Sequence, residues 1–184
     1  AAALGVAAAA LPAALLLQRV TRGGAASAGA LQSPLGTTRE LFMDLAGREW
    51  SRSRRYGSGA ALLLVDVDRF ARLAESRGGA ATDAVLAELL RATAPTLRGA
   101  DLLTRFSESQ MAVFLAHADP TGALDVAERI RERAEQMEVP FHEESAPRRL
   151  RITVSVGVAQ LRPAHLNLQA LVDDAQDAVL AARQ

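Results

Sequence analysis

The sequence predicts an α+β domain in which helices flank a central mixed, mostly antiparallel sheet. Three observations predict it. A fully apolar run, AALLLV at 60–65, reads as a buried strand that ends in two acids, Asp66 and Asp68. Two further apolar runs, 102–106 and 111–116, are separated by the polar stretch SESQ, as the strands of a hairpin are. A third segment, 151–159, alternates Ile152, Val154, Val156 and Val158 against Thr153, Ser155 and Gly157, the period of a half-buried strand. A hairpin inside an otherwise alternating order of helices and strands argues against a doubly wound parallel sheet.

The elements follow in order. Residues 35–55 place Leu35, Leu41, Phe42, Leu45 and Trp50 among charges at helical spacing, and Gly57-Ser58-Gly59 ends that helix. After the first strand comes a helical stretch interrupted at Gly78-Gly79, then a helix over 80–97 with Val85, Leu86, Leu89 and Leu90 on one face. Asp119-Pro120 opens the helix after the hairpin, whose Ala123, Ala127, Ile130, Ala134 and Met137 step by four and three. Leu168, Leu171, Val172, Ala175, Ala178, Val179 and Ala182 form a last amphipathic helix. The order is α-β-α-α-β-β-α-β-α, with no internal repeat. Trp50 and Tyr56 are expected to pack on the sheet, and His117, His142 and His165 to be surface or ordinary loop residues.

Composition narrows the function. The chain has 184 residues and 21 cations, all arginine, against 21 acids, for a net charge of zero. No excess positive charge exists to neutralise phosphates, which argues against binding a nucleic acid polymer. There is no cysteine, so disulfides and thiolate metal sites are excluded, and the three histidines stand too far apart for a local metal motif. Residues 1–22 differ in kind. The first 17 carry no charge, and Arg19 and Arg22 follow directly. This pattern reads as a membrane-anchor helix with its basic end in the cytoplasm. An Ala-rich soluble helix and a cleaved signal are the rival readings. Residues 23–34, rich in Gly and Ser, then form a linker to a domain at 35–184. Arg48, Arg52, Arg54 and Arg55 mark a solvated or membrane-facing side of the first helix.

The motifs resemble one family. LLLVDVDRF is similar to a strand ending in D-x-D-x-F, TDAVLAELL to a GDxxLxxxA helix, and RGADLLTRF to an RxxD lead-in to the hairpin. AERIR, ITVSVGVA and DDAQDAVLAAR resemble the helix, strand and final helix that follow in the GGDEF domains of diguanylate cyclases. The resemblance covers roughly residues 33–184 and implies a nucleotidyl cyclase palm, a ferredoxin-like arrangement. Such enzymes join two GTP molecules, one per subunit. The 3′-oxygen of one attacks the α-phosphate of the other, with a divalent cation bridging the phosphates.

In that register the tip that names the family reads Ser107-Glu108-Ser109-Gln110-Met111. The two glycines, which allow a close approach of backbone to phosphate, are Ser107 and Glu108. The two acids fall on Ser109 and Gln110, so Asp66 is the one implied metal ligand left. The Lys and the guanine-contacting Asn are Ala71 and Ala74, while Asp83, a second guanine contact by resemblance, survives. Asp66, Asp83, Ser109 and Gln110 are thus expected to be a vestigial active site, with no catalytic residue and no required cofactor. Arg183 takes the position of a phosphate-contacting lysine, and Arg105 supports the hairpin.

A second motif is intact. Arg98-Gly99-Ala100-Asp101 stands five residues before Ser107, the spacing of the family's product-binding RxxD site, and the resemblance assigns a helping arginine to Arg129. A guanidinium fork suits phosphate oxygens or the Hoogsteen edge of guanine, and a carboxylate can accept from guanine N–H groups. The implied ligand is cyclic di-GMP. A turn salt bridge between Arg98 and Asp101 is the plain alternative. The sequence therefore points to an inactive, membrane-associated cyclic di-GMP receptor at the bacterial inner membrane, facing the cytoplasm. It would relay to a protein effector or act as a homodimer in exopolysaccharide, motility or biofilm control. A nucleotide-free docking or dimerisation scaffold is the second reading, and a weak cyclase or GTP sensor the third.

Overall fold

The apolar run at 60–65 has helices on both sides of it. A computed structural model describes residues 38–143 and 146–183. Strand β1 (Ala60–Val67) is buried along its whole length and occupies an inner position of a four-stranded sheet. β3 (Gln110–Ala116) and β6 (Val154–Gln160) are its neighbours, and β2 (Leu102–Arg105) closes the far edge, in the order β2-β3-β1-β6. Every neighbouring pair is antiparallel. β1 and β2 run parallel but are kept apart by β3, so the mixed directions involve no parallel neighbours.

The period of two along β1 divides the core. Ala61, Leu63, Val65 and Val67 join one apolar cluster with Val85, Leu86, Leu89 and Leu90 of helix α2 (Phe70–Thr93) and Ala123, Ala127, Ile130 and Ala134 of α3 (Pro120–Gln136). Ala60, Leu62 and Leu64 join a second cluster with Phe42 and Ala46 of α1 (Arg39–Tyr56) and Leu171, Val172, Ala175 and Val179 of α4 (Leu168–Ala182). The result is helices on both faces of one antiparallel sheet, the expected class.

Local chemistry sets the helix ends. Thr38, Asp119 and Asn167 are N-caps whose side chains accept from the backbone N–H groups of Leu41, Gly122 and Ala170. Pro120 takes the first helical position of α3. The expected interruption of α2 is real. Gly78 has φ 78° and ψ 175°, which a residue with a Cβ rarely adopts, and the helix turns there.

Several expectations are corrected. A two-stranded sheet of β4 (Val139–Glu143) and β5 (Ala146–Leu150) follows α3. Pro140 and Pro147, together with the charges around them, hide it from a pattern search for strands. β6 begins at Val154, not Arg151, and α1 begins at Arg39. Tyr56 is 73% exposed and does not pack on the sheet, whereas Trp50 is half-buried against the second cluster with the Arg54 guanidinium over its ring. Among the described residues no helix is long and apolar enough to cross a membrane. The expected anchor at 1–22 and linker at 23–34 lie outside the described residues.

His165 is the largest departure from a surface reading, being only 3% exposed. Its Nδ1 accepts the Arg162 backbone N–H at 2.9 Å, so Nε2 carries the proton and donates to Asp174 at 2.7 Å. Arg162 also pairs with Asp174, and Arg54 of α1 donates to the His165 carbonyl oxygen at 3.1 Å. This loop thus joins α1 to α4. The His165 bond, and after it the Arg162 bond, hold the Asp174 carboxyl below the usual carboxylate range. A depressed carboxyl stabilises the fold above its unfolded value, near pH 4, and that contribution is lost as pH falls through the folded value. In urea melts from about pH 6 to about pH 2, the parent chain should lose stability below about pH 4. Asp174→Asn should start lower and lose less over that interval; an equal acid slope in both would contradict the linkage.

Candidate functional site

Asp66 is the next-to-last residue of β1, on the face that packs against α4, and the register sets Gln110 directly across from it. The Asp66 carboxylate is 3% exposed. Its Oδ2 accepts from Gln110 Nε2 at 2.8 Å, and Gln110 in turn contacts Gln176 Oε1 of α4 at 3.3 Å. Arg183, one residue past α4, brings its guanidinium to 2.5 Å from Oδ1, as an ion pair rather than an aligned hydrogen bond. A cation of the protein itself therefore pairs with Asp66.

Asp68 is held apart from this pair. The Thr153 and Ser155 hydroxyls donate to its two oxygens at 2.6 and 2.7 Å. These residues and Arg183 border an open cleft of about 680 Å³ that also takes in Ser109. The family resemblance implies a divalent cation here, and the donor set does not fit one. Asp66 has a partner on each oxygen, Asp68 is tied to two hydroxyls, and Ser109 and Gln110 bring no charge. Among the described residues no three of His, Asp and Glu come together where they could hold a metal.

Asp83 lies elsewhere, beside a neighbouring cleft of about 560 Å³ shared with Ala74, Phe106 and Glu108. Arg105 donates to Asp83 at 2.8 Å and to the Ser107 carbonyl oxygen at 3.3 Å, bracing the tip as expected while occupying the acid. Of the four residues grouped as a vestigial site, then, Asp66 and Gln110 touch, Ser109 stands in the adjoining cleft, and Asp83 belongs to a separate ion pair.

At the other end of α2 the RxxD segment makes a tight loop. The Arg98 backbone N–H donates to Asp101 Oδ2 at 2.8 Å, the Asp101 N–H returns to the Arg98 carbonyl oxygen at 3.0 Å, and Oδ1 accepts from the Ala116 N–H at 3.2 Å. The carboxylate thus fastens this loop to the end of β3. Arg98 and Asp101 make no side-chain salt bridge, and the exposed Arg98 guanidinium has no partner among the described residues. Arg129 is also exposed and unpaired among the described residues. It stands one helical turn before Arg133, which donates to the Ala92 carbonyl oxygen near the end of α2 at 3.2 Å. α3 also packs beside the 3-10 turn Ala94–Thr96 that leads to Arg98. The helical period puts Arg129 on the same face of α3 as Arg133.

Sequence reasoning missed the partners that close the Asp66 network. Gln176 on α4 and Arg183 just past its end gave no local sign of reaching Gln110 of β3 and Asp66 of β1. The parity of β1 together with an amphipathic α4 was the available signal.

The domain is thus an α+β unit: a central antiparallel sheet covered on both faces by helices, with an acid near the end of an inner strand beside a hairpin tip. A model of one family, "Diguanylate cyclase, GGDEF domain", matches residues 37–184, and the chain belongs to that family. It is 30% identical over 115 residues to the probable diguanylate cyclase DgcC of Escherichia coli (strain K12), which covers 62% of this chain and 30% of that protein. The diguanylate cyclase SiaD from Pseudomonas aeruginosa, solved in complex with its activator SiaC, superposes with a TM-score of 0.77 at 26% identity. That match covers 92% of this chain and 62% of SiaD. The GGDEF domain of DgcB from Caulobacter crescentus, solved in complex with c-di-GMP, has the same fold. It gives a TM-score of 0.73 at 18% identity over 87% of this chain and 93% of that one. The chain spans about a third of the length of the curated relatives it matches.

Proposed function

We propose that this domain is a cyclic di-GMP receptor without diguanylate cyclase activity, binding through Arg98, Asp101 and Arg129. The observation that carries the reading is the contrast between the two ends of the domain. Around Asp66 the charges cancel internally, through Arg183 and Gln110. At the RxxD loop the exposed Arg98 guanidinium is unpaired among the described residues, as is that of Arg129 on α3, and the Asp101 carboxylate is held in place by backbone N–H groups. A dinucleotide with two phosphates and two guanines offers both acceptors for the forks and donors for the remaining lone pairs of Asp101. Residues 1–22 would tether the receptor to the bacterial inner membrane with the domain in the cytoplasm. Ligand binding would then relay to a protein effector or through a homodimer to exopolysaccharide, motility or biofilm control.

One observation favours a second reading, a nucleotide-free docking scaffold: both oxygens of Asp101 already serve the loop. Calorimetric titration of cyclic di-GMP into the 184-residue chain separates the two. The receptor reading expects micromolar affinity, about −8 kcal/mol, weakened at least tenfold in Arg98→Ala, with no requirement for Mg²⁺. Absence of heat in the parent chain would leave the scaffold reading standing.

A further inference from the structure

Arginine is the only cation of this chain apart from histidine, and many of its guanidiniums are committed among the described residues. Arg48, Arg52, Arg91, Arg105, Arg131, Arg149, Arg162 and Arg183 all pair with carboxylates. Besides Arg55, Arg98 and Arg129, two neighbouring arginines have no partner among the described residues: Arg69 and Arg72, at the start of α2. Arg69 also holds a left-handed backbone, φ 54°, where glycine or asparagine would be favoured.

Both border a groove of about 500 Å³ between the first turns of α2 and the segment joining β5 to β6. Leu73, Leu150 and Ile152 line it with apolar surface, and Arg151 adds a third exposed cation from the opposite wall. Arg151 contacts Glu138 at 3.1 Å, but Glu138 is shared with Arg149. The two acids in the groove are occupied: Asp68 by Thr153 and Ser155, and Glu135 by Arg131 at 2.5 Å.

We infer that this groove docks an acidic segment of a partner protein, with an apolar side chain on Leu73, Leu150 and Ile152 and flanking carboxylates on Arg69, Arg72 and Arg151. The apolar lining favours a peptide over a free inorganic anion, and the unpaired guanidiniums suit bidentate contacts with carboxylates. The chain's own first 39 residues cannot supply that segment, because Glu40 is the first acid in the sequence. The groove lies at the start of α2, whereas Arg98 follows its end, so the inference does not rest on the cyclic di-GMP reading.

The test is fluorescence anisotropy of a labelled peptide, Glu-Glu-Leu-Glu-Glu-Leu-Glu-Glu, titrated with the 184-residue chain at low salt. The parent should bind and lose affinity as salt rises. The double variant Arg72→Glu/Arg151→Glu should bind at least tenfold more weakly. Arg48→Glu/Arg55→Glu, an equal change of charge on α1, and Arg98→Ala should each stay within twofold of the parent. Thermal melts confirm that the variants are folded. No binding by the parent, or equal loss in the two double variants, would overturn the inference. So would self-association of the parent that the Arg72/Arg151 substitutions abolish, since the occupant would then be a second copy.

Discussion

Replacing Gly157 with valine is expected to be the most damaging single substitution in the sheet. Gly157 sits on β6 opposite Leu64, on the face that α4 covers. A Cβ built there would lie 2.3 Å from the Ala175 carbonyl oxygen and 2.5 Å from the Val179 backbone nitrogen. Both obstacles are main chain, so no rotamer change relieves them and the helix must move away from the sheet. Overpacking of this kind costs about 3 kcal/mol or more when it cannot relax. For a domain of this size that lowers the melting temperature by about 10 °C. Even Gly157→Ala should fall well outside the range of a surface substitution. A thermal melt within about 2 °C of the parent for Gly157→Ala would mean that α4 does not press on β6 as described. The same displacement would carry Gln176 and Arg183 away from Gln110 and Asp66, coupling helix packing to the charge pairing at Asp66.

The second large effect concerns that state directly. Arg183→Met should destabilise the fold by about 2 to 3 kcal/mol, because it strands a buried carboxylate with one hydrogen-bond donor. The partial exposure of Arg183 places the expected cost below that of a fully buried pair. Asp66→Asn introduced together with Arg183→Met should recover most of the loss, since the uncompensated charge is then gone. Urea unfolding of the four species of this cycle gives the coupling between the two residues. Millimolar Mg²⁺ should leave the parent's melting temperature unchanged, whereas a ligand that bound only the native state would raise it. A rise in the parent would show that a cation competes with Arg183 for Asp66, and it would return the cyclase reading to the front.

Much of the architecture was legible in local patterns. AALLLV at 60–65, the paired apolar runs around SESQ and the alternating Val154, Val156 and Val158 identify the strands, because side-chain periodicity follows directly from backbone geometry. Asp119-Pro120 and Gly78-Gly79 marked a helix start and a helix break for equally local reasons. β4 and β5 were not legible. Their pairing is made by backbone groups, and their side chains, Pro140 and Pro147 among them, follow no strand alternation. Tyr56 was misplaced, and the burial of His165 within its loop was not legible, for a related reason. Exposure of an aromatic and burial of an imidazole depend on what the neighbouring element offers, and the partners of His165 come from Arg162 and from Asp174 on another element.

The sequence by itself determined the helices and the four strands of the central sheet, and it placed Ser109 and Gln110 at the hairpin tip, Asp66 near the end of β1 and Arg98 and Asp101 ahead of β2. Residue identity and spacing suffice for each of these. Only the tertiary structure decided that Asp66 faces Arg183, that Asp101 serves its own loop while Arg98 stands clear of it, and that Arg69, Arg72 and Arg151 border one groove. Electrostatic pairing acts through space over a few ångströms, and the residues involved are up to 117 positions apart in the pair Asp66 and Arg183 (183 − 66). No local window of the chain contains that distance. It is set by the order β2-β3-β1-β6 and by the face on which each helix packs.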